Sequence, residues 1–221
     1  MIDIISKNIK NKNYRLYLLI IYFFWISSLI IYLFFSELIK GGALENGVKL
    51  GNDSIFYLGE AKKIINQEIS ILEHKSKFGY LLFLIPFLYF DLPLYSIVLF
   101  QIILTSISAL CLYEITSKYF CKFSGLICIS LFLFYFPLQI TNFYILTEIL
   151  FINISIILTF FIVFFKKKYL PLIIGLLLIL ISIRPNGILF LFSLFASFFV
   201  FFLEKWKYLY LFLYSILILI L

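Results

Sequence analysis

The chain has 221 residues, of which 64% are hydrophobic, 21% are aromatic and only 13% are charged. A soluble domain is typically about 45–50% apolar and about 25% charged, so this composition excludes a soluble globular enzyme, a disordered chain and a coiled-coil rod. An all-α, polytopic helical membrane protein remains. The net charge of +7 then indicates the cytoplasmic excess of Lys and Arg in membrane proteins, not nucleic-acid binding.

The first predicted membrane span runs from Leu16 to Phe35. Four basic residues precede it and only Asp3 opposes them, which places the N-terminus in the cytoplasm. No small-x-small cleavage site follows the apolar run, so the pattern favours an uncleaved signal anchor over a cleavable signal. The basic residues are Lys7, Lys10, Lys12 and Arg15.

A polar segment, residues 37–77, follows this span and is the only long hydrophilic stretch of the chain. It is extracytoplasmic if the first span crosses. Residues 52–54 suit a helix N-cap, and apolar residues then recur at helical spacing. This pattern predicts an amphipathic helix on the outer membrane surface, with Asp53, Tyr57 and Glu60 on one stripe. The apolar positions are Ile55, Leu58, Ala61 and Ile65.

The next apolar run, Phe78–Phe90, contains Pro86 and reaches only about 20 Å as a helix, too short to cross. It is predicted to be an interfacial or re-entrant helix, because every later basic cluster then lies in the cytoplasm. The chain 1–221 is thus predicted to be one membrane domain of about seven spans and one half-span. The six further spans are Leu94–Thr116, Phe123–Ile140, Glu148–Phe165, Leu170–Ile183, Ile188–Leu203 and Tyr208–Leu221.

A turn is predicted at residues 184–187, because Pro185 disfavours helix at the residue before it and Asn-Gly is a turn dipeptide. The topology then gathers Asp53, Glu60, Glu148 and Arg184 on the extracytoplasmic face. Glu148 and Arg184 border apolar runs and need water, a partner or a ligand. They are predicted to form either a buried ion pair or a site for an anionic lipid head group. The chain stops inside an apolar run, which indicates a fragment or a short relative.

Four segments carry a resemblance when they are taken in order. They are Asp53-Ser-Ile-Phe-Tyr-Leu-Gly-Glu-Ala61, Lys77-Phe-Gly-Tyr-Leu-Leu-Phe83, Leu146-Thr-Glu-Ile-Leu150 and Ile183-Arg-Pro-Asn-Gly-Ile188. Over roughly residues 16–203, the chain resembles the membrane glycosyltransferases of the GT-C fold, such as the protein O-mannosyltransferases and the aminoarabinose transferases of lipid A. Two features depart from that family: Gly79 stands where a proline is expected before the tyrosine, and the second half of the fold is absent.

The resemblance implies an integral protein of a bacterial inner or plasma membrane. Such an enzyme moves a sugar from a polyprenyl-phosphate carrier to an acceptor hydroxyl of a glycan, lipid or protein outside the cytoplasm, by direct inverting displacement. Asp53 is then the general base, and the guanidinium fork of Arg184 binds the phosphate. Glu148 orients Arg184 or contacts the sugar, and Tyr57 and Glu60 bind substrate. The fold allows a divalent cation, although no ligand set is visible.

Simpler structural roles stand beside these. Asp53 serves only as a helix N-cap, Glu148 only caps its span, or Arg184 only snorkels at a helix end. Two other functions compete with the transferase: a non-catalytic membrane partner or split relative of such an enzyme, and a lipid flippase or transporter. The sequence shows neither internal repeats nor polar groups deep in several spans, which argues against a transporter. The cysteines, predicted to be packing residues, are Cys111, Cys121 and Cys128.

Overall fold

The computed structural model describes residues 14–38, 44–45, 48–68, 77–189 and 192. The regular secondary structure of this part of the chain is helical apart from a two-residue antiparallel ladder that pairs Leu44 with Lys49 and Glu45 with Val48, which confirms the all-α expectation. In chain order the elements are α1 (Tyr14–Leu38), β1 (Leu44–Glu45), β2 (Val48–Lys49), α2 (Asn52–Ile65), α3 (Phe78–Tyr89), α4 (Tyr95–Tyr119), α5 (Lys122–Phe134), α6 (Phe136–Thr141), α7 (Thr147–Val163), a 3-10 helix (Lys167–Tyr169) and α8 (Leu170–Ile183).

Two of the described helices are long and apolar enough to cross a membrane: α1, through its stretch Tyr14–Leu33, and α4. Helices α3, α5, α7 and α8 are apolar but only 12 to 17 residues long. The described helices therefore do not by themselves give seven full-length spans, and that count stays a prediction. Apart from residues 188–189 and 192, the predicted spans Ile188–Leu203 and Tyr208–Leu221 lie outside the described residues.

Helix α4 is the centre of the bundle, and α5 and α7 pack along it. Helix α8 contacts α7 and α3, and α2 lies across α3. Helix α1 inserts the fully buried Trp25 into this core, whereas its Leu19 and Phe23 are each 68% exposed. Large exposed apolar surface of this kind marks contact with lipid or with another protein.

The predicted span Phe123–Ile140 is interrupted at Tyr135, where the backbone is extended (φ −73°, ψ 90°). Pro137, at the start of α6, explains the break. Proline has no N–H to donate to a carbonyl one turn earlier, and its ring clashes with that carbonyl. Helix α5 therefore ends at Phe134, and α6 begins as a separate short helix.

Lys118 and Lys122 lie at one end of the bundle. The Lys118 ammonium donates to the Val163 carbonyl at 2.8 Å, which joins the last turns of α4 and α7. The Lys122 ammonium lies 5.2 Å from the ring centroid of Tyr14, so the starts of α5 and α1 lie together at this same end. We call this the basic end. Because α7 has 17 residues, about 25 Å of helix, Glu148 at its start lies at the opposite end.

Helix α2 begins one residue earlier than its sequence pattern predicts. Its N-cap is Gly51, whose N–H donates to the Ser54 hydroxyl at 3.4 Å. Asp53 therefore lies in the first turn and is not the N-cap. Of the predicted apolar face, Leu58 and Ala61 are buried and Ile55 is 59% exposed, whereas Tyr57, predicted to share a stripe with Asp53 and Glu60, is 3% exposed. The face that packs on α3 is Ser54, Tyr57, Leu58 and Ala61.

Candidate functional site

The centre of the candidate site is an ion pair between two residues that lie 36 positions apart in the chain. Arg184 Nη2 donates to Glu148 Oε1 at 3.0 Å, and the two side chains are 25% and 40% exposed. Arg184 is extended (φ −143°, ψ 137°) because a proline follows it. The Gly187 N–H donates to the Arg184 carbonyl at 2.9 Å, which confirms the predicted turn. The pair is half-exposed, so it is open to a ligand from solvent.

Glu148 lies in the first turn of α7, where the helix dipole stabilises a carboxylate. The N-cap of α7 is Leu146, in extended backbone and without a side-chain cap. The Thr147 hydroxyl donates instead to the second carboxylate oxygen of Glu148 at 3.2 Å. Glu148 therefore does more than begin its helix, since both of its oxygens are engaged by named partners.

Tyr80 of α3 contacts α2 through its ring and interacts electrostatically with Glu148. It is fully buried, and its ring contacts the Tyr57 ring edge-on at a centroid distance of 5.0 Å. Burial raises the pKa of Tyr80 well above its ordinary value, and the nearby Tyr57 and the Glu148 carboxylate raise it further. Within the described part of the chain, the Tyr80 hydroxyl has no hydrogen-bond partner. It is therefore a buried neutral donor within electrostatic reach of the Glu148 carboxylate.

Lys77 belongs to the same cluster, although the sequence analysis assigned it no role. Its ammonium donates to the Tyr57 hydroxyl at 2.6 Å and lies 5.1 Å from the centroid of that ring. Lys77 has a left-handed backbone (φ 70°) at the N-cap of α3. The sequence feature that could have pointed to Lys77 is its position directly before the apolar run that begins at Phe78. Tyr57, predicted to bind substrate, is packed between Lys77 and Tyr80.

Asp53 and Glu60 occupy different settings on α2. Asp53 is exposed in the first turn and makes no hydrogen bond or ion pair with any other described residue. The Glu60 carboxylate pairs with the Lys63 ammonium at 2.8 Å, and this hydrogen bond raises the pKa of Lys63. The structure thus brings Tyr57, but not Asp53, into contact with the cluster around Tyr80.

The start of α2 nevertheless lies near the start of α7. A methyl group on Gly51 would lie 3.9 Å from the Tyr144 ring, and Tyr144 precedes Thr147 by three residues. Asp53 follows Gly51 by two residues. Asp53 and the Glu148–Arg184 pair therefore share the end of the bundle opposite the basic end.

A second group of polar residues is buried deep in the helices, contrary to the expectation that polar groups gather only at one face. Gln101, Thr105 and Asn153 are fully buried in α4 and α7. The signal was present in the sequence, because Gln101, Thr105 and Ser108 recur at i, i+4 and i+7 along one stripe of α4. Apolar neighbours on every side concealed it.

Among the residues that the structure describes, no three histidine, cysteine, aspartate or glutamate side chains come together as they would around a metal ion. Comparisons of the chain with protein-family models, with curated proteins and with solved structures return no match.

Proposed function

We propose that the chain is a membrane glycosyltransferase that passes a sugar from a polyprenyl-phosphate carrier to an acceptor hydroxyl on the extracytoplasmic side. The observation that carries the proposal is the Arg184–Glu148 pair. It joins two segments that resemble the GT-C family, and the contact between the Tyr57 and Tyr80 rings joins the other two. These segments are far apart in sequence, so chance resemblance of each one alone does not explain why their polar residues meet.

The donor phosphate is the group that this cluster suits. In the described part of the chain, the Arg184 guanidinium contacts Glu148 through Nη2 alone, which leaves N–H groups for a bidentate contact with phosphate oxygens. Lys77 adds a second positive charge next to Tyr57. The Tyr80 hydroxyl adds a neutral donor. Together they favour the negative charge that develops on the leaving phosphate.

Asp53 is the proposed base. As the acceptor oxygen bonds to the anomeric carbon, its proton passes to the Asp53 carboxylate, and the bond between the anomeric carbon and the phosphate oxygen breaks. The electron pair stays on the lipid phosphate. A positioned carboxylate contributes typically about 10²–10⁴-fold to such a step. Attack opposite the leaving group inverts the anomeric centre. Because Asp53 is exposed, we place it near the acceptor and not in the phosphate cluster.

The proposal includes a topology. In it, α1 and α4, which are long and apolar enough to cross a membrane, are full-length spans, α5 and α6 in series form one crossing, and α3 is a half-span. The basic end faces the cytoplasm together with the N-terminus. With the spans predicted beyond α8, the count reaches about seven in a bacterial inner or plasma membrane. In this topology the membrane lipids are permanent partners of the protein, and nucleic acid is not a partner.

The test is donor binding followed by transfer. The protein in nanodiscs is titrated with polyprenyl phosphate, and Arg184→Lys should lower the affinity about tenfold because the bidentate fork is lost. The matched control is Arg15→Lys, which changes the same side chain at the basic end. Transfer from polyprenyl-phosphate sugars to added acceptors should be abolished by Asp53→Asn. Unchanged affinity in Arg184→Lys would refute the phosphate site.

A lipid flippase or transporter is the second candidate, because the buried polar residues of α4 and α7 supply what the sequence analysis found missing. A non-catalytic partner or split relative of the enzyme is the third. Movement of labelled polyprenyl phosphate across liposomes without sugar transfer would support the transporter. Donor binding that survives with neither transfer nor movement would support the partner.

A further inference from the structure

A connected set of buried amides and hydroxyls lies beneath the segment between α6 and α7. We call residues 142–146 the strap. The polar residues beneath it are neutral and at most 4% exposed, and the proposed function gives them no role. Trp25 belongs to α1, Gln101 and Thr105 to α4, Gln139 to α6 and Asn153 to α7. Asn142 belongs to the strap itself and is bonded to this set.

The strap is not helical, yet Asn142, Phe143 and Ile145 are fully buried. Backbone carbonyls in such a place need donors, since an unpaired buried carbonyl is costly. Gln101 of α4 supplies them. With its amide nitrogen turned toward the strap, Gln101 donates to the Asn142 carbonyl at 2.8 Å and to the Tyr144 carbonyl at 3.2 Å.

The side chain of Asn142 is held from the same region. Its amide nitrogen donates to Gln139 Oε1 at 3.1 Å, and that oxygen also accepts from the Trp25 indole N–H at 3.0 Å. The Thr105 hydroxyl lies 2.8 Å from Asn142 Oδ1 and accepts from the Asn153 amide at 2.9 Å. Gln101 alone in this set reaches two strap carbonyls.

The strap contacts both parts of the candidate site, namely the start of α2, which carries Asp53, and the start of α7, which carries Glu148. The Tyr144 ring lies against Gly51, the N-cap of the helix that carries Asp53. The strap then runs directly into Thr147 and Glu148 at the start of α7. A shift of the strap therefore moves the start of α2 relative to the Glu148–Arg184 pair.

We infer that Gln101 is a positioning residue: its amide clamps the strap and thereby sets the start of α2 against the start of α7. The geometric part of this inference is independent of catalysis. Its consequence for transfer rests on the proposed function, because it requires Asp53 and Arg184 to act on one substrate.

The experiment reports the clamp directly. Cysteines replace Gly51 and Tyr144 in a chain whose native cysteines are changed to alanine, and oxidative crosslinking is timed in nanodiscs. Gln101→Met keeps the length of the side chain but removes the donors. It should slow crosslinking roughly tenfold, the population shift expected when a buried carbonyl loses its partner. The matched control, Ser108→Ala, removes a buried hydrogen bond to Asn153 on the same stripe of α4 and should leave the rate unchanged.

Two results would overturn the inference: an unchanged rate in folded Gln101→Met, or equal slowing in Ser108→Ala. If Gln101→Met does not fold, Gln101→Glu takes its place. A buried carboxyl stays neutral at acid pH and then offers one O–H donor in the same shape. Because disulfide formation needs the thiolate, the rate in that variant is divided by the rate of the parent chain, with Gln101 and the same two cysteines, at the same pH. This ratio should be near one at about pH 5 and low at about pH 8, and a ratio equally low at both would also reject the clamp.

A transfer assay separates this inference from the proposed function. With an active enzyme, Gln101→Met should lower kcat more than it changes KM for the donor, because the phosphate ligands stay in place. A KM effect without a kcat effect would contradict the positioning role. If the wild-type chain transfers no sugar, the proposed function fails while the crosslinking result still decides the clamp.

Discussion

Gly79 in α3 and Ser182 in α8 approach so closely that no side chain fits between them. A Cβ atom on residue 79 would lie 2.7 Å from Ser182 Cβ and 2.9 Å from the Ser182 carbonyl carbon. Ser182 precedes Arg184 by two residues, and Tyr80 follows Gly79. The contact therefore sets how near Tyr80 comes to the Arg184–Glu148 pair. It also gives a physical reason why glycine stands at position 79, because the approach of α8 leaves no room for a Cβ atom there.

Gly79→Ala should destabilise the protein by about 1–3 kcal/mol, since the added methyl group meets backbone and Cβ atoms that cannot rotate away. The measurement is the midpoint of thermal unfolding in detergent. Gly175→Ala in α8 is the matched control, because nothing lies within 4 Å of its new methyl group. Alanine there should stabilise the helix by about 0.5–1 kcal/mol. Equal shifts in the two variants would show that α3 and α8 are not in contact at Gly79.

Two tyrosine variants should have opposite effects on stability. Tyr80→Phe removes a buried hydroxyl that has no partner among the described residues, so stability should stay level or rise by about 1 kcal/mol. Tyr57→Phe takes away the acceptor of the Lys77 ammonium and should cost about 1 kcal/mol. Chemical denaturation of the two variants in matched micelles measures the difference.

The same Tyr80→Phe variant also tests the site. If the Tyr80 hydroxyl donates to the donor phosphate, its loss should weaken polyprenyl-phosphate binding although the protein is no less stable. Lower stability in Tyr80→Phe than in Tyr57→Phe would mean that the hydroxyl has a structural partner instead.

The Cys121 thiol should ionise at a lower pH than an ordinary cysteine thiol. Cys121 is the N-cap of α5, and hydrogen bonds from the Ser124 hydroxyl and the Ser124 N–H lower the pKa of its thiol. Because its pKa is lower, the thiol is converted to the thiolate, the reactive form, at lower pH. Alkylation with iodoacetamide should therefore rise at lower pH in wild type than in Ser124→Ala. The measurement uses a chain with Cys111 and Cys128 changed to alanine, and identical pH profiles would refute the cap.

Cys121 also serves as a marker of the basic end. A maleimide that cannot cross membranes should leave Cys121 unlabelled in intact cells and label it in inside-out vesicles. Glu60→Cys, in a chain without native cysteines, should behave in the opposite way because α2 is extracytoplasmic in the proposed topology. Labelling of both positions from one side would contradict that topology.

Several local features follow from the sequence because they depend on near neighbours. Pro185 imposes the extended backbone at Arg184, and α8 has the predicted bounds Leu170–Ile183. The predicted apolar helix Phe78–Phe90 matches α3, Phe78–Tyr89, to within one residue, and its assignment as a half-span stays a prediction. The interruption at Tyr135 was missed, because hydrophobicity continues through Pro137 and masks the lost hydrogen bond.

The features that were wrong or missing depend on distant partners. The burial of Tyr57 on α2 was not predicted, because periodicity alone cannot tell which neighbour a helix will meet. In the fold Tyr57 is turned inward against Tyr80. Gln101 was passed over because a single amide in an apolar run has no meaning until the strap carbonyls lie above it.

By itself, the sequence determined the helical class, most helix limits and the charge asymmetry, because hydrophobic run length, proline geometry and the placement of Lys and Arg act locally. Only the tertiary structure decided that Glu148 pairs with Arg184, that Lys77 joins Tyr57, and that Gln101 lies under the strap. Those contacts join residues 20 to 43 positions apart. Their partners are chosen by how the helices pack, and short-range sequence patterns contain no information on that choice.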